Sequence, residues 1–237
     1  MRVAAIYDVH GNRPALEAVL AELEREGGAD EIVVGGDVLW GPMQSECIDL
    51  LLDAGAVFVS GNCERDVLHP SSDVDRWCNA RLSQRERALV ASWPLKLDRE
   101  IDGLGSVVFC HATPHDNETI LTRITRDADV VAALADTEAA IVVCGHTHVQ
   151  FDRQVRLGPR LVNVGSVGLP YEGAAGAYWA FIGPEIELRQ SVYDVERAFS
   201  DLRATTFPRF DEIFVRPLAG QVTADEATTE FESKRGA

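Results

Sequence analysis

The chain has 237 residues, 46% hydrophobic and 25% charged, which fits a single globular domain with a sizeable core. Its 38 acidic and 22 basic residues leave a net charge of −16, the wrong sign for a surface that neutralises nucleic-acid phosphates, so DNA and RNA are set aside as partners. No apolar run approaches the ~18 residues of a membrane span, and five cysteines without a C-x-x-C pair predict a reducing, cytoplasmic setting rather than a disulfide framework.

In chain order, residues 2–7 predict a buried strand, cut short by Asp8 before it could serve as a secretion signal. Asn12 caps a helix over 13–26, with Pro14 in its first turn, Leu16, Val19, Leu20 and Leu23 on one face, and Gly27-Gly28 as the stop. Ile32–Val34 is a second strand, Ser45 opens a helix to about Ala54, and Val57–Val59 is a third strand. Strand–helix–strand–helix–strand is the pattern of a parallel sheet with helical crossovers. The stretch 73–92 predicts helix, with Ser83 and Glu86 as a capping box and Trp93-Pro94 as the end. Val107–Cys110 is a strand, a helix follows near 127–135, and Ile141–Cys144 is another strand. The short runs 154–157, 160–164, 177–182 and 186–192 predict hairpins in a second sheet. A helix near 194–204 closes the ordered part, so residues 1–218 form the domain and 219–237, poor in large apolar groups, a flexible tail.

The residues that bear chemistry fall in five blocks, Asp8-Val9-His10, Gly36-Asp37, Gly61-Asn62, His111 and Gly145-His146-Thr147-His148. Each follows an apolar, β-branched run, so each sits where a buried strand breaks into a loop, the end at which open α/β sheets bind ligands. Carboxylate, amide and imidazole donors suit hard-to-borderline divalent cations, and no thiolate set is demanded. Asp37, a lone carboxylate in a glycine-rich turn, is the natural bridge between two ions. Elsewhere the plainer readings stand: Asn12 as a helix cap, His69 and His115 as surface groups, Arg65 paired with acidic neighbours, Cys110 and Cys144 as core.

The order D-x-H, G-D, G-N, H, G-H-x-H resembles the calcineurin-like metallophosphoesterases, and Asp8-Val9-His10-Gly11-Asn12, His111-Ala112-Thr113-Pro114 and Asn163–Gly168 resemble its YfcE-like phosphodiesterase branch. The resemblance spans roughly residues 2–195. It implies a four-layer α/β/β/α sandwich, two mixed sheets packed face to face with helices outside. It also implies one ion on Asp8, His10 and His148, another on Asn62, His111 and His146, and Asp37 bridging. Asn12 and Asn62 become candidate substrate contacts. The chemistry implied is two-metal hydrolysis of a small phosphodiester or activated monoester, in which ions ~3.5–4 Å apart activate a bridging water. Manganese is the first expectation, with Fe, Zn, Co and Ni as alternatives.

One departure concerns the third block, where Cys63 stands in place of a histidine implied to assist the leaving group. A thiol is a weak hydrogen-bond donor with an ordinary pKa of about 8.5, so Cys63 is a poorer candidate acid or simply a packed residue. The rival from another class is a non-catalytic scaffold, since the retromer coat contains a subunit of similar fold. All seven ligand positions are filled here, which favours the enzyme. A nuclease of the same superfamily would need a basic groove or an added DNA-binding domain, and this acidic chain offers neither.

Overall fold

A computed structural model describes residues 1–235. Two five-stranded mixed sheets form its centre, in the order β10-β9-β1-β2-β3 and β4-β5-β6-β8-β7. The first sheet contains β1 (Val3–Ile6), β2 (Glu31–Val34), β3 (Val57–Phe58), β9 (Ala177–Ile182) and β10 (Ile186–Ser191). The second contains β4 (Lys96–Ile101), β5 (Gly105–Cys110), β6 (Ile141–Cys144), β7 (Phe151–Gln154) and β8 (Arg160–Asn163). β1, β2 and β3 run parallel, as do β5, β6 and β8.

Continuous apolar strands let both faces of each sheet be buried, and the period of two sorts the side chains into layers. Val3, Ala5 and Tyr7 face Val107, Phe109, Ile141 and Val143 in the core between the sheets. The intervening Ala4 and Ile6 join the core under the first helical layer. Val108, Cys110, Val142 and Cys144 face outward to Val130 and Leu134. The result is the four-layer α/β/β/α sandwich.

The helices are α1 (Arg13–Arg25), α2 (Gln44–Asp53), α3 (Asn62–Leu68), α4 (Asp73–Asn79), α5 (Gln84–Val90), α6 (Asp127–Ala133), α7 (Val195–Ala204), α8 (Phe210–Leu218) and α9 (Ala224–Lys234). Asn12 caps α1 by accepting a hydrogen bond from the Ala15 amide, and Ser83 with Glu86 forms the capping box of α5. The helix expected over 73–92 is two helices, because Ser72 and Ser83 each cap one. No helix among the described residues is long and apolar enough to cross a membrane.

Three further differences from the sequence reading stand out. The late hairpins do not share one sheet: β9 and β10 extend the first sheet alongside β1, whereas β7 and β8 complete the second. The stretch 96–101 is also a strand, missed because its polar residues mark an exposed edge. The third difference concerns the tail from 219 onward, of which residues 236–237 lie outside the described residues. Thr223 caps α9, Asp225 and Glu226 lie in its first turn, and Ala227 and Thr228 are buried. Polar contacts hold this helix in place of a broad apolar face. Glu232 accepts hydrogen bonds from Thr122 and Thr125, Arg123 pairs with Asp225, and Arg235 pairs with Asp129.

Candidate metal centre

The parallel strands of both sheets end at one place, and the five sequence blocks meet there. Asp8 follows β1, Asp37 follows β2, Asn62 opens α3 after β3, His111 follows β5, and His146 and His148 follow β6. The glycines of these blocks are needed for the close approach. A Cβ at Gly61 would collide with the Asp37 carboxylate, and one at Gly145 would collide with that of Asp8. Five of the seven candidate ligands sit in the left-handed region: Asp8 (φ 53°), His10 (45°), Asp37 (53°), His146 (65°) and His148 (57°). Non-glycine residues avoid that region, at a cost of about 1–3 kcal/mol each. Backbone strain concentrated at these five residues is therefore held by the surrounding fold.

The donor atoms converge in two overlapping groups. His148 Nε2 lies 3.2 Å from Asp8 Oδ1 and 3.2 Å from His10 Nε2. His111 Nε2 lies 3.0 Å from Asn62 Oδ1 and 3.2 Å from His146 Nδ1. Asp37 Oδ2 stands between them, 3.9 Å from His10 Nε2 and 3.5 Å from His111 Nε2. Asp8, His10, Asp37, His111 and His148 are buried, while Asn62 and His146 are half-buried and face the opening. Separations near 3 Å are what two ligands about 2.1 Å from a shared ion show.

Backbone carbonyls orient the imidazoles. The Leu169 carbonyl accepts from His148 Nδ1 at 2.7 Å, and the Gly35 carbonyl accepts from His111 Nδ1 at 2.9 Å. Placing the proton on Nδ1 leaves the Nε2 lone pair facing inward in both rings. Asp8 Oδ1 is buried and has no hydrogen-bond donor. An orphaned carboxylate oxygen ringed by imidazole lone pairs fits a cation better than any protein group on hand. Oxygen and nitrogen donors of this kind match divalent ions.

The electrostatics agree. Burial, followed by the repulsion of His148, pushes the His10 imidazolium down to about 4, and burial with His111 does the same to His146, to about 4. Both imidazoles are neutral at neutral pH, the form in which they can bind a cation. Burial opposes ionisation of Asp8, but the neighbouring histidines, His148 above all, hold it well below the usual carboxylate range. Asp37 is likewise lowered against burial, by His111 and His10.

Two residues beside the ligands complete the cluster. Cys63 donates its backbone N–H to Asp37 Oδ1 at 2.9 Å and its thiol to Asp37 Oδ2 at 3.1 Å. Burial and the carboxylates of Asp37 and Glu64 push this thiol well above its ordinary pKa, so it stays protonated. Glu64 was not singled out from the sequence. Its buried carboxylate accepts the N–H groups of Asp37 (2.8 Å), Val38 (2.9 Å), Leu39 (3.1 Å) and Gly61 (2.7 Å), joining the turn after β2 to the start of α3. Burial and the proximity of Asp37 push it up to about 7 against the pull of those donors. The signal available was its place two residues after Asn62, on the inner side of a short helix.

The other candidates fall outside the cluster. Asn12 is fully buried, its Oδ1 accepting from Ala15 and its Nδ2 donating to the Gly168 carbonyl at 3.0 Å. Its polar atoms are thus occupied in capping and loop bracing, which corrects the expected substrate contact. His115 is bound to the Ala135 carbonyl on the surface, and Arg65 pairs with Asp66 and Glu118.

The ligands open into a cleft of about 870 Å³ between α3–α4 and the α8–α9 segment. Tyr171 stacks on His148 with ring centroids 4.8 Å apart, and Phe231 of α9 lies 6.2 Å from His146. The helix expected to fray is therefore a wall of the site.

Comparison with known proteins points the same way. Residues 1–181 match the model of the calcineurin-like phosphoesterase superfamily domain. A protein of Methanocaldococcus jannaschii, itself uncharacterised, is 26% identical over 235 residues, covering 88% of this chain and 94% of its own. A metallophosphoesterase from Sphaerobacter thermophilus superposes with a TM-score of 0.74 at 25% identity, covering 93% of this chain and all of that one. A hypothetical protein of Pyrococcus horikoshii shares the fold with a TM-score of 0.79 at 17% identity, covering 94% of this chain and 99% of the other.

Proposed function

The chain belongs to the calcineurin-like phosphoesterase superfamily, and on that footing we propose that it is a two-metal hydrolase of a small phosphodiester or activated phosphomonoester. In this reading Asp8, His10 and His148 hold one divalent ion, Asn62, His111 and His146 hold the other, and Asp37 bridges. The observation that supports it best is the placing of Asp37 Oδ2 between two donor groups whose members stand 3.0–3.2 Å apart. Two such ions supply a water of lowered pKa and a positive clamp on the phosphate oxygens. Manganese suits the carboxylate, amide and imidazole set, and Fe, Zn, Co or Ni would serve the same donors. The acidic surface and five free cysteines favour a cytoplasmic enzyme acting on a small phosphorylated substrate rather than on nucleic acid.

The protein's own residues position and insulate the reaction. The carbonyls of Leu169 and Gly35 lock the inward lone pairs of His148 and His111, Glu64 anchors the Asp37 turn, and Cys63 holds both Asp37 oxygens. Half-buried Asn62 and His146 lie at the boundary between ligand cluster and cleft, where a substrate phosphate would meet them.

Metal-stripped protein should not hydrolyse bis-p-nitrophenyl phosphate, and added manganese should restore turnover, followed by release of p-nitrophenolate. Metal retention by elemental analysis without turnover of any ester would replace the enzyme by a scaffold of the same fold.

Cys63 tests the departure from imidazole. It lines the cleft, but its one S–H is given to Asp37 Oδ2 and its pKa is pushed up, so it is a poor donor to the leaving group. Cys63→His should accelerate esters with poor leaving groups by about tenfold or more, with little change for p-nitrophenyl esters, since general acid catalysis of this kind contributes ~10²–10⁴-fold. An unchanged dependence of kcat on leaving-group pKa would reduce Cys63 to a brace for Asp37.

A further inference from the structure

The cleft is far larger than a phosphate needs, and its walls differ in character from the ligand cluster. At about 870 Å³ it falls within the ~300–1,000 Å³ of pockets that enclose a drug-sized organic molecule. Beside the ligands the wall is aromatic. Tyr171 lies against His148, Phe231 lies near His146, and the two rings have centroids 6.4 Å apart at 37°. From a phosphate at Asn62 and His146, this pair is an aromatic wall along which a substituent can run.

Charge around the rest of the cleft argues against a second phosphate. Arg209, Arg216 and Lys234 line it, but each is paired with a glutamate that lines it too: Glu212, Glu226 and Glu230. Asp66 and Asp75 add two more carboxylates, and Asp75 is already held by Ser71, Ser72 and Trp40. Outside the ligand cluster no described cation of the cleft lacks an acidic partner. A polyphosphate tail would enter an environment of net negative charge and be repelled.

Resting on the phosphodiesterase reading above, we infer that the cleft selects a phosphodiester whose retained, non-departing substituent is a nucleoside, with Phe231 and Tyr171 as the platform for the base. Stacking on aromatic side chains tolerates any base and withstands the surrounding carboxylates because the base is uncharged. The polar rim from α4 and α9 meets the ribose and base edges. In the reaction, water adds to phosphorus and the bond to the departing oxygen breaks, so a nucleoside aryl diester and water give a nucleoside monophosphate and the phenol. Phe231 is a specificity residue in this scheme, and α9 is the element that brings it.

Two diesters with the same leaving group isolate the effect: a thymidine p-nitrophenyl phosphodiester and methyl p-nitrophenyl phosphate, assayed with the manganese-loaded protein. The thymidine ester should be preferred in kcat/KM by about ten- to a hundredfold, the scale of one aromatic–base stack. Phe231→Ala should bring that ratio towards one, mainly through KM, and Phe231→Tyr should restore it. Thermal unfolding of each variant checks that α9 remains docked. Equal kcat/KM for the two esters in the parent protein, or a ratio unmoved by Phe231→Ala, would overturn the assignment while leaving the phosphodiesterase reading intact. Failure to hydrolyse either ester would overturn that underlying reading instead.

Discussion

Asp37→Asn should lower phosphodiester turnover by roughly a thousandfold or more, matching the several kcal/mol of charge stabilisation that metal-ion catalysis supplies. The substitution is nearly silent for the backbone. Asp37 has φ 53°, a left-handed conformation that asparagine tolerates better than most residues. The retained Oδ1 can still accept the Cys63 N–H. What changes is the atom opposite His10 and His111, where an amide NH₂ replaces the Oδ2 that stands 3.9 and 3.5 Å from their ring nitrogens. An amide nitrogen offers no lone pair to a cation, so the variant should also retain less metal after desalting, read by elemental analysis on protein of unchanged melting temperature. Near-parental turnover with both ions retained would sink the bridging assignment.

How far the site could be seen from sequence depends on where each residue's neighbours lie. Asp8, His10, Asp37, His111, His146 and His148 were identifiable because each follows an apolar strand, and strand ends of one polarity gather at one edge of the sheets. Asn62 was identifiable from its glycine, whose missing Cβ the structure fills with the Asp37 carboxylate. Local pattern does not reveal pairing between distant strands, so it locates β9 and β10 in the chain but not beside β1 in the first sheet. α8 had a usable signal in buried Phe210, Phe214 and Leu218, four residues apart, but Pro208 and Pro217 obscured it. α9 had no such stripe. Its order comes from Thr122, Arg123, Thr125 and Asp129, about a hundred residues away. Hence the convergence of the candidate ligands follows from short blocks, whereas the wall that shapes the cleft depends on contacts that no local pattern records.

Glu64→Ala should be among the most destabilising single substitutions in the chain, on the order of 4 kcal/mol in denaturant unfolding of the metal-free protein. Glu64 is 1% exposed, and removing its carboxylate strands four buried N–H donors at once, those of Asp37, Val38, Leu39 and Gly61. Each such donor costs about 1–3 kcal/mol when left without an acceptor, and water entering the vacated space recovers only part of it. Glu64→Gln should fall between parent and alanine. Its one remaining oxygen can keep two of the four bonds, while its NH₂ must face N–H groups that it cannot satisfy. Because these bonds pin the turn that presents Asp37 in its left-handed conformation, the glutamine variant should also bind metal more weakly, by about ten- to a hundredfold, the usual effect of losing a residue that orients a ligand. A loss below about 1 kcal/mol in the alanine variant would mean that the turn after β2 holds its shape without Glu64. In that event the strain at Asp37 would have to be held by the packing of Tyr7 and His111 against Gly35 and Gly36 instead.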